Sequence, residues 1–255
     1  MVVTGGLSGR QGDRILLARL GPDGRLDRSF GQGGLVATGL PAAKRPRAIA
    51  VDSAASILVA GRDGRDFALT RFRANGDLDT RFGERGTVTT DLGADDQPYA
   101  AAIDADGKIL LAGSTRDGSD TDVALARYHA DGSLDTTFGL EGTLVLGRRS
   151  VSEHASTVSV QYDGRIVLAG PIALRNQDDD VAVVRLEADG RLDLSFGEDG
   201  TVITDFGSSG DIVTAVAIDT SGRILVAGAA GGINNPDFVI ARFARHAQGV
   251  RGLGP

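Results

Sequence analysis

LDTTFG, at residues 134–139, occurs in four versions along this chain of 255 residues. The other three are LDRSFG at 26–31, LDTRFG at 78–83 and LDLSFG at 192–197. The phenylalanines at 30, 82, 138 and 196 are therefore 52, 56 and 58 residues apart. A period of that size is typical of proteins built from structural repeats, so the four copies predict a repeat architecture.

Each repeat contains four short apolar segments bounded by Gly or Asp. In the third repeat they are YAAAID (99–104), ILLAG (109–113), DVALARY (122–128) and TLVLGR (143–148). Short runs rich in Val, Ile, Leu and Ala predict strands, and Asp-Gly pairs between such runs predict tight hairpin turns. Four antiparallel strands in each repeat of this length are typical of a propeller blade.

We therefore predict an all-β fold, a single β-propeller domain over 1–255 with about five blades. Three blades, at 47–92, 99–148 and 155–206, have all four strands. Residues 1–40 form a partial blade without the small-residue inner strand, and 213–253 form a last blade whose outer strand the sequence does not define. Either the first blade is truncated or reduced, or another copy closes the ring, because an uncovered strand edge can pair.

The aspartate of the repeated phrase is expected to be structural. Leu134 and Phe138 are four residues apart, so a short helical turn would place both side chains against the sheet. Asp135 would then cap that turn. Recurrence in every copy favours capping over catalysis, and the equivalent aspartates are Asp27, Asp79 and Asp193.

The composition argues against several functions. A net charge of −7 is unlike a nucleic-acid-binding surface, which needs a basic stripe. The chain has no cysteine for disulfides or thiolate metal sites. It also has no run of about 18 apolar residues, so we expect no membrane insertion. Ser29 and Ser195 lie inside the repeated phrase without an evident base, which disfavours a serine hydrolase.

The first residues, MVVTGGLSGRQGD (1–13), lack the basic region and apolar core of a signal peptide. Either the mature chain is cytosolic, or an export signal once preceded it. The sequence therefore leaves the localisation open.

The segments DGKILLAG (106–113), DVALARYHADGSLDTTFG (122–139) and GTLVL (142–146), in this order, resemble the delta-60 repeat of bacterial proteins. The resemblance covers nearly the whole chain. It implies a β-propeller, usually in large surface or exported proteins, and thus an extracellular or cell-surface location, with no general activity and no catalytic residues. The strand order is also similar to that of NHL-type propellers, whose first strand lines the axis. Gln161 and Tyr162 depart from the repeat pattern.

In that strand order, the loops entering the inner strand and those joining the second and third strands share one face. These loops differ most between repeats, so ligand contacts are expected there. A basic cluster that includes Arg45 and Arg148 could bind an anionic glycan or carboxylate, although ordinary surface charge is the alternative. The predicted ligand-binding residues are Lys44, Arg47, Asp96, Tyr99, Arg149 and Asp211.

Two groups of residues on this face could carry chemistry. Glu153 and His154 could act in acid–base catalysis or bind a metal, whereas the scattered His129 and His246 make no zinc signature. Acidic loops could supply the six to eight oxygen ligands of Ca²⁺ or another divalent metal. The candidates are Asp95, Asp96, Asp178 and Asp179, with Asp180 and Asp211 on the same face. Because the chain has no DxDxDG loop, solvated acidic loops without a cofactor are the default.

Together these features predict a non-catalytic module that presents variable loops to a glycan, peptide or protein partner. The alternative is a propeller hydrolase of lactones or esters, with or without a metal, at the mouth of an axial channel. A third hypothesis is a fragment of a longer surface array. The chain would be a monomer or would self-associate to complete the ring.

Overall fold

A computed structural model describes residues 1–9, 12–38, 44–118, 120–147, 152–173, 179–206, 210–231 and 237–244. The chain forms two compact units. Unit 1 comprises Met1–Leu111 with Arg127–Leu134, and unit 2 comprises Ala112–Ala126 with Asp135–Pro255.

The described residues form nineteen strands and no helix. A helix long and apolar enough to cross a membrane is accordingly not found in this part of the chain. In order, the strands are β1 (Val2–Gly9), β2 (Gly12–Arg19), β3 (Leu35–Thr38), β4 (Lys44–Val51), β5 (Ile57–Asp63), β6 (Asp66–Phe72), β7 (Thr87–Thr90), β8 (Gln97–Ile103), β9 (Ile109–Asp117), β10 (Asp120–Tyr128), β11 (Thr143–Leu146), β12 (Ser152–Glu153), β13 (Thr157–Val160), β14 (Ile166–Ala173), β15 (Asp179–Leu186), β16 (Thr201–Thr204), β17 (Ile212–Ile218), β18 (Ile224–Ala230) and β19 (Asp237–Phe243).

These strands make five sheets, which confirms the all-β class and the predicted number of blades. The first sheet is β1-β2-β3, and the second and third have four strands each, β4 to β7 and β8 to β11, side by side in chain order. The fifth is β17-β18-β19. In the fourth sheet, β12 and β13 both pair with β14, which continues through β15 to β16.

The chain between β12 and β13 passes very close to the glycine that ends the second-strand segment, which is IVLAG in this sheet. A Cβ on Gly170 would lie 1.8 Å from the carbonyl oxygen of His154. In the fifth sheet, a Cβ on Gly228 would lie 1.9 Å from the carbonyl oxygen of Ile212. Only glycine tolerates such an approach, so this position lets the inner-strand backbone pass close to the second strand.

Alternate residues of neighbouring sheets form the apolar cores. In unit 1, the core combines residues of β2, β5 and β6 with the buried ring of Phe30. In unit 2, residues of β14 and β15 pack with β17, β18 and Phe196. Residues two apart on a strand share a face, so in each of these two cores one face of a sheet packs against the next sheet. The core residues are Ile15, Leu17, Ile57, Val59, Ala68 and Phe72 in unit 1, and Val167, Ala169, Val181, Val183, Val202, Val213, Ile224 and Val226 in unit 2.

The aspartate of the repeated phrase caps a turn, as predicted. In the fourth repeat, Asp193 Oδ1 accepts hydrogen bonds from the backbone N–H of Ser195 at 3.0 Å and from its hydroxyl at 2.6 Å. Phe196 N–H donates to the carbonyl oxygen of Asp193 at 2.9 Å. The same pattern of side-chain capping recurs at Asp27 and Asp135.

The leucines of the phrase follow the prediction in two repeats and depart from it in the other two. The four phenylalanine rings are fully buried and Leu78 and Leu134 are half-buried, but Leu26 is 43% and Leu192 36% exposed. Each leucine forms a β-bridge either to the last residue of the third strand or to the residue directly after it, as between Leu20 and Leu26. This pairing is common to all four leucines, and the turn that follows places the phenylalanine in the core.

An arginine from the third strand binds both the aspartate and the phenylalanine. In the fourth repeat, Arg185 Nε donates to Asp193 Oδ2 at 2.7 Å, and the guanidinium lies 4.5 Å from the ring centre of Phe196. We call this arrangement the Arg–Asp–Phe clamp. It recurs as Arg19, Asp27 and Phe30, and as Arg71, Asp79 and Phe82.

The clamp also connects one repeat to the next. Gly83, which follows the clamp phenylalanine, donates its N–H to the carbonyl oxygen of Asp131 in the third repeat at 2.9 Å. Gly31 and Asn75 make the same bond, also at 2.9 Å. The turn that accepts it needs glycine, because Gly132 has a φ of +93° and a Cβ there would lie 3.1 Å from the Phe82 ring.

The clamp predicts a large cost for removing its charge pair. Asp193→Asn leaves the guanidinium of Arg185, 2% exposed, without its buried counter-charge. Loss of one partner of a buried pair costs about 3–5 kcal/mol, so the free energy of unfolding in urea should fall by that amount. Asp199→Asn is the control, because Asp199 is exposed and its left-handed backbone suits asparagine. Equal effects of the two substitutions would contradict a central role for the clamp.

The stabilisation from Asp193 should also depend on pH. Burial alone would raise the pKa of this carboxyl, but hydrogen bonds from Ser195 and Arg185 outweigh it and hold the pKa below its ordinary 3.8. A depressed folded-state pKa stabilises the protein at pH values above the ordinary pKa, and that contribution is lost as the pH falls through the folded-state pKa. The difference in unfolding free energy between wild type and Asp193→Asn should therefore become smaller as the pH falls below 3.8, the ordinary pKa of the carboxyl. A constant difference across that range would mean that ionisation of Asp193 is not its source.

Candidate functional site

The structure brings together two predicted ligand-binding residues in unit 1. The guanidinium of Arg47, on β4, lies 5.6 Å from the ring centre of Tyr99, on β8. Arg47 is exposed and Tyr99 half-buried, and the Tyr99 hydroxyl donates to Gln97 Oε1 at 3.3 Å. The pair thus presents a cation and a phenol hydroxyl at the start of two inner strands.

Asp95 and Asp96 have different surroundings although they are adjacent. Asp95 forms an ion pair with Arg62. Asp96 is fully buried, and its Oδ2 accepts a hydrogen bond from the N–H of Leu92 at 2.7 Å. The backbone places Lys44 opposite Arg62 in the β4–β5 pairing. The predicted residues Arg149, Asp178, Arg148 and His246 lie outside the described residues.

Glu153 and His154, in unit 2, lie beside a small pocket whose other lining is mainly apolar. Glu153 is buried on β12, and the pocket wall includes Leu168 and Val184. Burial lowers the pKa of the His154 imidazole, and the charge of Asp179 only partly offsets this. The imidazole is therefore neutral at neutral pH.

Asp179 and Asp211 contact each other through the backbone. The N–H of Asp211 donates to the carbonyl oxygen of Asp179 at 2.6 Å. Asp211 is buried and its Oδ2 accepts from the N–H of Phe206 at 2.9 Å, whereas the side chain of Asp179 is exposed.

An open groove of about 900 Å³ lies on unit 1 along the outer strand β7. One wall is the phrase of the second repeat with the residues that follow it, and the other is the Asp-Gly turn of the third repeat. The lining residues are Asp63, Arg81, Gly83, Glu84, Arg85, Thr87, Val88, Thr89, Asp131, Gly132 and Ser133.

Two arginines of this groove replace the residues that other repeats have at the same positions. Arg81 replaces the serine or threonine whose hydroxyl binds the capping aspartate elsewhere, and its N–H lies a long 3.4 Å from Asp79 Oδ1. Arg85 has a left-handed φ of 52°, and Glu141 and Asp199 are also left-handed at the same position of the third and fourth repeats, whereas the first repeat has Gly33. The weaker cap at Arg81 is therefore specific to the second repeat, while the left-handed backbone at Arg85 is shared with two others.

The opposite wall of the groove carries negative charge. Hydrogen bonds from the hydroxyl and the N–H of Ser133, at 2.7 and 2.9 Å, lower the pKa of the Asp131 carboxyl. Asp131 therefore stays ionised at neutral pH and faces a groove that also contains two guanidiniums. Sequence reasoning missed this site, although comparing the four phrases residue by residue would have singled out Arg81.

Two acidic triads occur at equivalent positions of the repeat. Each combines an aspartate at the start of a third strand, the aspartate after the fourth strand and the aspartate before the next inner strand. One carboxylate oxygen from each member lies within 4.8 Å of the other two. The triads are Asp66, Asp91 and Asp96 in unit 1, and Asp180, Asp205 and Asp211 in unit 2.

Crowding of the carboxylates perturbs their ionisation. Burial first, and then the negative charges of Asp91 and Asp96, raise the pKa of Asp66. Burial also raises the pKa of Asp211, with a contribution from the charge of Asp205. Asp96 and Asp211 were predicted from the sequence as site residues, whereas their partners Asp91 and Asp205 were visible only as the ends of the repeated TVTTD and TVITD segments.

The third sheet lacks the middle carboxylate of the triad. Gly147 stands where the other sheets have Asp91 and Asp205. A Cβ on Gly147 would lie 2.4 Å from Cγ of Asp122, so the Asp122 carboxyl fills the space of the absent side chain.

A family model described as a domain of unknown function (DUF5122) beta-propeller matches residues 1–30, 56–82, 105–138 and 161–196. The chain is a β-propeller repeat protein. The matched family is of the delta-60 repeat type, so the resemblance to a propeller-repeat family is confirmed, while the similarity to NHL-type propellers stays a prediction. Comparison with curated protein sequences gives no match.

Solved structures show the same fold in larger proteins. An ulvan lyase, a polysaccharide lyase bound to a saccharide of glucuronic acid and sulfated rhamnose, has a TM-score of 0.58 and 11% identity, covering 96% of this chain and 64% of the lyase. The lyase without saccharide has a TM-score of 0.58 and 10% identity, and the match covers 93% of this chain and 60% of the lyase. This propeller repeat protein therefore spans less than two thirds of those lyases. An endo-arabinase from Bacteroides thetaiotaomicron has a TM-score of 0.51 and 9% identity, and the match covers 98% of this chain and 92% of the arabinase.

The strained backbone at Arg85 predicts that this arginine does not stabilise the fold. A left-handed conformation costs a side chain such as arginine about 1–2 kcal/mol, and asparagine adopts it more readily. Arg85→Asn should leave the melting temperature unchanged or raise it, as should the matched Glu141→Asn at a φ of 52° in the third repeat. A marked fall in the melting temperature of Arg85→Asn alone would assign Arg85 a structural role instead.

Proposed function

We propose that this β-propeller repeat protein is a non-catalytic module that binds an extended glycan chain in the groove of unit 1. The observation that carries the proposal is the pair of arginines, Arg81 and Arg85. Arg81 departs from the serine or threonine of the other phrases, Arg85 places a second guanidinium two residues after Gly83, and both line the same open groove. In the described part of the chain, neither guanidinium takes part in an ion pair.

The chemistry of the lining supports a glycan over a peptide or protein partner. Guanidiniums, carboxylates and hydroxyls can hydrogen-bond to several sugar hydroxyls at once, and arginine also pairs with uronate or sulfate groups. Protein interfaces depend on buried apolar and aromatic anchors. Among the named lining residues of the groove, by contrast, a single side chain, that of Val88, is apolar. The open shape of the groove suits a chain that extends beyond both ends.

Proteins with the same fold lend further support to this ligand class. By their names, the ulvan lyase and the endo-arabinase act on polysaccharides, and the lyase structure holds a bound saccharide. Their low identities carry the fold alone, so the groove of this chain, and not their active sites, is the basis of the proposal.

The hydrolase alternative centred on Glu153 and His154 stays a prediction with less support. The pocket beside these residues is small and mainly apolar. A hydrolase site would need room for a substrate and a polar group that positions water.

Binding to polysaccharides of different charge tests the proposal. Affinity gel electrophoresis with a uronate-rich, a sulfated and a neutral polysaccharide should show retardation by at least one of them, followed by titration calorimetry with that polysaccharide. The Arg81→Thr/Arg85→Asn double variant should bind about tenfold more weakly or worse, because each charged hydrogen bond contributes about 1.5–3 kcal/mol.

Arg28→Thr is the matched control. Arg28 is an exposed arginine in the phrase of the first repeat and does not line the groove. It has the same charge, and Thr80 occupies its position in the second repeat. Wild-type affinity in the double variant, or no retardation of the wild-type protein by any of the three polysaccharides, would contradict the proposed function.

A further inference from the structure

The acidic triad of unit 2 lies where the fourth sheet meets the start of the fifth. Asp180 is on β15, Asp205 directly follows β16, and Asp211 directly precedes β17. One carboxylate oxygen from each residue lies within 4.8 Å of the other two. The exposure is graded, with Asp205 exposed, Asp180 half-buried and Asp211 only 2% exposed.

The buried member of the triad has an oxygen without a hydrogen bond. Asp211 Oδ2 accepts from the N–H of Phe206, but Oδ1 is shielded from solvent and has no hydrogen-bond partner. The short bond from Asp211 N–H to the carbonyl oxygen of Asp179 fixes the backbone, so the carboxylate is held toward the other two. A buried charged oxygen without a partner is costly, and a bound ion would supply the missing interaction.

We propose that Asp180, Asp205 and Asp211 bind a divalent cation of the Ca²⁺ type. Three carboxylates within one coordination sphere are hard oxygen ligands, which suit Ca²⁺. A set without imidazole or thiolate does not suit zinc or copper. Water completes the six to eight oxygens that Ca²⁺ requires, because the exposed side of the triad, at Asp205, is open to solvent.

The equivalent triad of unit 1 has a different neighbour on the second strand of its sheet. Arg62, on β5, lies close enough to Asp66 for its positive charge to favour the ionised carboxyl. In the fourth sheet, the corresponding residue of β14 is Pro171, which pairs with Val181 as Arg62 pairs with Phe67. The two triads therefore differ at this position of the second strand, which is an arginine in unit 1 and a proline in unit 2.

The proposed cation would connect three separate segments of the chain. It would link the start of β15, the end of β16 and the entrance to β17, and so join the fourth and fifth sheets of unit 2. Binding to the folded state alone raises its stability in proportion to the logarithm of the cation concentration. The site is independent of the groove in unit 1, so failure of one proposal leaves the other unaffected.

Calorimetric titration of the EDTA-treated, dialysed protein with CaCl₂ tests the site directly. The expected result is saturable binding and a rise in melting temperature of about 5–10 °C when Ca²⁺ exceeds its Kd about a hundredfold. No saturable heat and no change in melting temperature would overturn the proposal.

Asp211→Asn separates cation binding from folding. The amide oxygen can still accept from Phe206 N–H, while the negative charge that would bind the cation is removed. In EDTA this variant should melt at the wild-type temperature or above, because repulsion among the carboxylates is reduced. With Ca²⁺ its affinity should fall at least about tenfold, since each 1.4 kcal/mol of lost interaction is a factor of ten.

Two controls define which triad responds. Asp237→Asn changes the residue at the position of Asp180 in the fifth sheet, which belongs to neither triad, and should keep the full Ca²⁺ response. Asp91→Asn alters the triad of unit 1 and should also keep it. A Ca²⁺ response that survives in Asp211→Asn but disappears in Asp91→Asn would overturn the assignment to unit 2.

Discussion

The structure depends on an arginine–aspartate pair stacked on an aromatic ring, which is repeated along the chain and most deeply buried in the fourth repeat. Taking arginine and aspartate out of water is costly, and only good geometry with further hydrogen bonds compensates for it. The clamp of Arg185, Asp193 and Phe196 meets this condition, because the aspartate accepts from Ser195 as well as from the arginine. One small group of side chains therefore sets the end of the third strand, the shape of the turn and the path into the fourth strand.

Features that depend on local sequence could be predicted without the structure. Apolar runs bounded by glycine defined the strands, and the recurrent aspartate of the phrase predicted the cap, because both effects act over a few residues. The exposure of Leu26 was missed because the spacing within the phrase is the same in all four copies and does not distinguish Leu26 from the half-buried Leu78. The acidic triads were also missed as groups, since Asp205 and Asp211 meet Asp180 only through the pairing of different strands.

Departures from the internal repeat are more informative about function than the repeat itself. Residues that recur in each phrase have a structural explanation in the clamp and the turn. By contrast, Arg81 replaces a serine or threonine that would cap the turn better, and Gly147 removes a carboxylate that two other sheets keep. A repeat protein thus provides its own reference, against which each unusual residue can be assessed.

The bond between consecutive repeats has a direction, and this has a consequence for synthesis on the ribosome. Gly31 bonds to Asn75, Gly83 to Asp131 and Gly139 to Asp189, always toward the later residue. An emerging repeat cannot complete its own phrase until 44 to 50 further residues have been translated, since 75 − 31 is 44 and 189 − 139 is 50. Each blade would therefore stay partly assembled until the next blade has been synthesised, and folding of the nascent chain would advance in steps from the amino terminus.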